Sequence, residues 1–326
     1  MKKIFITGGA GYVGSSLVPK LLKEGYKITV FDLMIYGEHV IQPHKNLVMI
    51  KGDIRDQKLL KKSLANQDVV IHLACISNDP SFELNPTLGK SINLDAFEPL
   101  VKISKENKIE RFLYASSSSV YGIKEEKNVS EEMSLEPLTD YSKFKAKCEE
   151  ILNKYADDNF IVSTIRPATV CGYAPRQRLD VIVNILTNHA YHKKEIQIFG
   201  GSQLRPNIHI DDMTRAYSVL IKADGNKINR EIFNIGSTNH SVIEIAEKVK
   251  KNIGDEVKIV QIKSDDIRSY HISSKKIFEK LNFKTELTIE DAILDLKKAF
   301  DKKLLKNTLD DENFFNIKKM QKLAIK

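Results

Sequence analysis

At 326 residues the chain is long enough for one large or two closely joined domains around a full core. The formal charge of +8 comes from 51 basic against 43 acidic residues, scattered as lysines beside Glu and Asp, which describes a solvated surface and no nucleic-acid platform. No apolar run could span a bilayer, no leader pattern opens the chain, and Cys75, Cys148 and Cys171 lie too far apart for a metal cluster, so a reduced cytoplasmic setting without membrane or metal is expected.

Taken in chain order, residues 2–7, 27–32, 46–53, 68–74 and 111–116 are short, β-branched and almost continuously apolar. That pattern predicts parallel strands buried on both faces. Helical periodicity at 57–64 and 93–106 lies between them, a rhythm that predicts a doubly wound α/β domain. A long amphipathic helix is expected at 140–155 and a further strand at 160–165. After Pro167 the alternation lapses. Loops holding Gly172, Pro175, Gly200-Gly201 and Pro206 separate helical runs at 181–191, 213–222, 242–251 and 289–304. The expected organisation is a parallel-sheet domain over 1–170 and a smaller mixed α/β lobe over 171–306, interleaved with it. Residues 307–326 read as a polar tail, with Phe314, Phe315 and Met320 available for packing.

The run Gly8-Gly9-Ala10-Gly11-Tyr12-Val13-Gly14 follows the first strand and opens a helix. Glycines there permit a tight turn and close approach of a pyrophosphate, whose charge faces the helix amino terminus. Asp32 ends the second strand roughly twenty residues on, where a carboxylate accepts hydrogen bonds from an adenosine ribose and repels a 2′-phosphate. NAD is therefore expected in preference to NADP. Asp53, after the third strand, is placed for an adenine amino group. Pro19, inside the helix that follows the glycines, has no functional account.

Residues 115–122, ASSSSVYG, set four serines at the carboxyl end of a strand, where hydroxyls suit a site better than a spacer. Farther on, Tyr141 and Lys145 stand at i and i+4 of a helix and share one face. A phenol of ordinary pKa near 10 is only about one part in a thousand ionised at pH 7, and half-ionising it takes roughly 4 kcal/mol. A neighbouring ammonium and a nicotinamide's positive charge are within reach of that figure.

In combination, Gly8–Gly14, Asp32, Asp53, His72-Leu73-Ala74, Ser-Ser-Val-Tyr-Gly and Tyr141…Lys145 resemble the extended short-chain dehydrogenase/reductases, the nucleotide-sugar epimerase/dehydratase family, over nearly the whole chain. The resemblance implies a Rossmann domain with tightly held NAD and a carboxyl-terminal lobe that binds a nucleoside-diphosphate sugar. It implies a homodimer paired through the helices at 93–106 and 140–155. The cofactor contacts it implies are Gly8, Gly11, Tyr12, Val13, Gly14, Asp32, Asp53, Ile54, Leu73 and Ala74, joined by Tyr141 and Lys145. Its catalytic set is Ser117 to polarise the sugar oxygen, Tyr141 to take the proton and Lys145 to tune Tyr141.

Dehydratases of that family carry Asp-Glu at the two positions after the first hydroxyl, an acid and a base for removing water. Ser118-Ser119 here cannot shuttle protons near neutral pH, so epimerisation or plain oxidation remains. Arg205 matches the arginine that clamps the diphosphate, a task suited to its fork of donors, and Arg268 stands where a second contact sits. Thr169, Arg176, Arg178 and Asn184 complete the expected substrate set, although Thr169 and Cys171 replace the Asn and Tyr usual in the family. The block 168–184 is similar to a subgroup that includes GDP-heptose 4-dehydrogenases. The expected activity is C4 oxidation of a nucleotide sugar as a 4-epimerase. A net 4-dehydrogenase and an NAD-sensing regulator are the alternatives; an intact Ser–Tyr–Lys set argues against the regulator.

Overall fold

The computed structural model describes residues 1–126, 128–263, 269 and 271–323. The strands in chain order are β1 (Lys3–Thr7), β2 (Lys27–Asp32), β3 (Leu47–Lys51), β4 (Val69–His72), β5 (Arg111–Ala115) and β6 (Ile161–Pro167). They continue with β7 (Thr169–Cys171), β8 (Glu195–Phe199), β9 (Leu204–His209), β10 (Glu231–Ile235), β11 (Thr238–Ser241) and β12 (Lys258–Ile262). Seven of them make one sheet in the order β10-β6-β5-β4-β1-β2-β3, parallel at every pairing.

Alternation along each strand explains why both faces are apolar. Ile4 and Ile6 point to one core with Val69, Ile71 and Leu113, whereas Phe5, Val70 and Phe112 point to the other. The first core is closed by the helices Tyr12–Lys23 and Ile210–Lys222. The second lies under Gln57–Ser63, Phe97–Glu106 and Asp140–Tyr155. The helix expected at 93–106 begins at Phe97, preceded by a wider π turn over Ser91–Asp95. Strand β3 is shorter than expected because Asp53 turns the chain: its carboxylate accepts from the backbone N–H of Arg55 at 2.8 Å.

The second half contains strands where the sequence showed only helices and loops. β11, β9 and β7 form a small mixed sheet, and β12 pairs in parallel with β8. The helices Ile182–Lys193, Val242–Ile253 and Ile289–Asp301 cover them around a separate apolar cluster. From the second half of the chain, Ile210–Lys222 and β10 return to the main sheet. Arg111 fastens that return. Its buried guanidinium donates to the carbonyls of Leu220 (2.5 Å), Ile221 and Ala223 (2.8 Å), placing a cation at the carboxyl end of Ile210–Lys222. Among the described residues no helix is long and apolar enough to cross a membrane, and no cluster of His, Cys, Asp or Glu is arranged for a metal.

Candidate active site

A cavity of about 370 Å³ opens at the carboxyl ends of the main-sheet strands. It straddles β1 and β4, neighbours in the sheet from which the chain winds in opposite directions, the usual ligand crevice of an open α/β sheet. Gly8, Gly11, Tyr12, Val13 and Gly14 line it from the β1 side. Two of these glycines are required by geometry. Gly8 has φ of +73°, and a Cβ there would lie 2.5 Å from the backbone N of Ala74. A Cβ on Gly14 would collide with the Gly9 carbonyl. Gly11 caps the helix Tyr12–Lys23 with no side chain, which leaves the first turn open toward the cavity.

Asp32 lies beside this turn. Its carboxylate accepts from the N–H of Ala10 at 3.0 Å and of Met34 at 2.8 Å. Burial raises its pKa, and those two bonds and the Arg176 charge oppose the rise. Asp53 and Ile54 also line the cavity, as do Leu73 and Ala74. Sequence reasoning gave Asp53 to an adenine but missed Arg55, whose guanidinium grips the same carboxylate at 2.6 Å. Burial would raise the Asp53 pKa; Arg55 outweighs it and holds the carboxyl below its ordinary range.

Ser117, Tyr141 and Lys145 all reach the same cavity. Ser117 caps the 3-10 turn Ser118–Tyr121, and its Oγ lies 2.8 Å from Ser119 Oγ. Ser118 is buried. Tyr141 and Lys145 sit in the first turns of Asp140–Tyr155, whose start is set by a capping box between Thr139 and Ser142. Lys145 donates to the Ala115 carbonyl at 2.6 Å and stands 5.8 Å from the centre of the Tyr141 ring. Beneath them His72 shares a 2.7 Å hydrogen bond with Thr7 and is pushed down to a pKa of about 3, first by burial and then by Lys145.

Under the serine turn lies a closed polar network that sequence reasoning missed. Arg166 is buried and pairs with Glu149 at 2.6 Å. Its Nη1 donates to Tyr121 Oη at 2.8 Å, and Tyr121 in turn donates to Asn234 at 2.7 Å. Ser116 donates to Glu149 as well. These groups hold the serine strand end rigidly from below.

A second cavity of about 240 Å³ adjoins the first and shares Ser119, Thr169 and Arg178 with it. Arg205 lines this second cavity only. Arg178 pairs with Asp180 at 2.6 Å across the same wall. Arg176 lines the first cavity near Asp32 and Tyr36, on the side of the glycine turn. Asn184 does not reach either cavity. It is fully buried, accepts from Gly172 N (2.9 Å) and donates to Tyr12 Oη (3.0 Å) and the Arg178 carbonyl (2.8 Å). The Tyr12 side chain is likewise a brace, donating to the Gly172 carbonyl at 2.6 Å. Arg268 lies outside the described residues.

Tyr36, Ser77 and Asn316 are among the lining residues that the sequence reading did not assign to the site, and Met320, read there only as available for packing, lines it as well. None sits in a motif, and Asn316 comes from the tail. The open glycine turn, a strand-end carboxylate and an arginine Nε without a hydrogen-bond partner together fit a dinucleotide.

Comparison with known proteins agrees with this geometry. The profile of the family described as NAD dependent epimerase/dehydratase matches residues 4–236. The UDP-glucose 4-epimerase of Lactobacillus helveticus is 27% identical over 278 residues, 78% of this chain and 83% of that protein. The dTDP-glucose 4,6-dehydratase of Streptomyces niveus is 25% identical over 316 residues, 90% and 91% of the two chains. Among solved structures, the UDP-glucose 4-epimerase of Thermotoga maritima with UDP-glucose has a TM-score of 0.84 at 24% identity, covering 93% of this chain and 100% of that one.

Proposed function

We propose that this chain, which belongs to the NAD dependent epimerase/dehydratase family, oxidises the C4 hydroxyl of a nucleoside-diphosphate sugar and inverts that centre as a 4-epimerase. The observation that carries this reading is one cavity lined by Ser117, Tyr141, Lys145 and the glycine turn, with serines and no carboxylate at positions 118 and 119.

The glycine turn, Asp32, Asp53, Ile54, Leu73 and Ala74 would hold NAD, which supplies the hydride acceptor and, for inversion, the returning hydride. Ser117 Oγ, oriented by Ser119, donates to the sugar oxygen. Tyr141 Oη takes the proton from that oxygen as general base and gives it back at the end. Lys145, tethered on the Ala115 carbonyl, sets a positive charge beside the phenol, and an ammonium at that range favours a charged phenolate. His72, with its pKa near 3, stays neutral and does not compete for the proton. Arg178 and Arg205 face the diphosphate, and Thr169 lies between the two cavities. Ser118 and Ser119 offer neither the acid nor the base that elimination of water requires.

The test is incubation with UDP-, dTDP- and GDP-hexoses in deuterated water, read by mass and by NMR. The accepted sugar is expected to return at unchanged mass with C4 inverted and no deuterium at C6. A product lighter by one water would overturn the epimerase reading, and stoichiometric NADH with a free 4-keto sugar would replace it by a 4-dehydrogenase.

A further inference from the structure

The tail does not trail away from the body. Phe314 and Phe315 pack with Leu179, Leu296 and Phe300, and the Phe314 carbonyl accepts from Leu179 N at 2.8 Å. The next residue, Asn316, enters the dinucleotide cavity at the start of the helix Asn316–Lys322. Its Oδ1 accepts from Tyr36 Oη at 2.9 Å and from Arg176 Nη2 at 2.6 Å. Its Nδ2 donates to Ser77 Oγ at 2.8 Å, and its backbone N donates to Asp180 at 2.8 Å. Tyr36 follows β2, Ser77 follows β4, and Arg176 and Asp180 follow β7. Three walls of the cavity therefore meet on one buried side chain. One turn later Met320 lines the same cavity and packs on the aromatic core beneath it.

Arg176 is the group this arrangement holds in place. Its guanidinium is buried, 4% exposed, and sits 3.5 Å from the centre of the Tyr36 ring. The guanidinium donates to Asn316, a neutral partner, and stacks on the Tyr36 ring, while its Nε has no hydrogen-bond partner. Asp180 is engaged by Arg178, and Asp32 by two backbone N–H groups. A buried cation with an idle donor is costly unless an anion completes it. In a cavity that fits a dinucleotide, the anion of the right chemistry is a phosphate of that cofactor.

We propose that residues 307–323 form a strap across the dinucleotide half of the cavity, that Asn316 is its latch, and that the latch aims Arg176 at the cofactor's phosphates and slows cofactor release. The proposal rests on the cofactor reading above. The decisive variant is Asn316→Ala, which keeps Phe314, Phe315 and Met320 and so keeps the strap's packing. NAD retained through purification is measured after acid release, and its dissociation rate is followed by exchange against excess NADH fluorescence. Asn316→Ala is expected to release NAD about tenfold faster, the equivalent of one lost charge-assisted hydrogen bond. Arg176→Met is expected to release it at least as fast, and removal of residues 307–326 faster still. If wild-type protein binds NAD and Asn316→Ala releases it at the wild-type rate, the latch is wrong and the cofactor reading stands. If wild-type protein binds no NAD, the cofactor reading falls and takes the strap with it.

Discussion

Asp32 is held by two backbone N–H donors, Ala10 within the glycine turn and Met34 just after β2, so its carboxylate is fixed toward the cavity. A 2′-phosphate brought against it would meet a fixed negative charge. NAD is expected to bind at least about a hundredfold better than NADP, since two close unit charges repel by a few kcal/mol at protein surfaces. Asp32→Asn should narrow that ratio to about tenfold or less; parallel titrations of both cofactors measure it. Tyr141→Phe removes only the phenolic oxygen. Turnover should fall by about two to four orders of magnitude with substrate affinity little changed, as read by single-turnover rates beside calorimetry. The residues behind these two predictions were legible because each lies in a short local pattern, such as Tyr141 and Lys145 four apart on one helix. Asn184 and Arg166 were not. Their partners, Tyr12 and Glu149, are assigned only when the chain folds, and a polar side chain does not announce which way it will face.

Two elements bear the site and can be tested as elements. The helix Asp140–Tyr155 turns Tyr141 and Lys145 to the cavity and Glu149 to the interior, where it meets Arg166 from β6. Glu149→Gln would leave a guanidinium buried without its counter-charge. The expected loss is about 3–5 kcal/mol in denaturant unfolding, and a change below about 1 kcal/mol would mean that the network does not anchor the helix. Strand β4 carries His72, whose folded pKa of about 3 lies below its ordinary 6.5. Below pH 6.5 the unfolded chain binds a proton that the folded one refuses, so stability falls as pH drops from 6.5 toward 3. The slope approaches about 1.4 kcal/mol per pH unit, or roughly 2 kcal/mol by pH 5. His72→Asn should flatten that part of the profile in melts between pH 7 and 5. The main-sheet strands up to β6 could be foreseen because burial on both faces leaves an unbroken apolar run. β11 is written Thr-Asn-His-Ser and β9 contains a proline, so neither shows an apolar period of two.

At the scale of the whole molecule, the helices Phe97–Glu106 and Asp140–Tyr155 turn charged residues outward, among them Glu98, Lys102, Lys147, Glu150 and Lys154, around half-buried Phe144 and Ile151. We expect a homodimer through this face, and one in which ion pairs matter. Sedimentation at micromolar concentration should find a dimer at low salt that weakens as salt rises past the screening range of about 10 Å at 0.1 M. A monomer at every ionic strength would refute the pairing. The interleaving of lobe and sheet also decides when the molecule can be finished. A ribosome delivers residues in order, and Arg111 is made about a hundred residues before the carbonyls of Leu220, Ile221 and Ala223 that its guanidinium needs. Until β10 emerges, the outer edge of β6 is a bare row of donors and acceptors, open to pairing with any neighbouring nascent chain. The nascent protein therefore carries an unanswered charge over the roughly 110 residues from Arg111 to Leu220–Ala223 and an unsealed edge over the roughly 60 from Pro167 to Glu231, and protease resistance is expected only once β10 has joined the sheet.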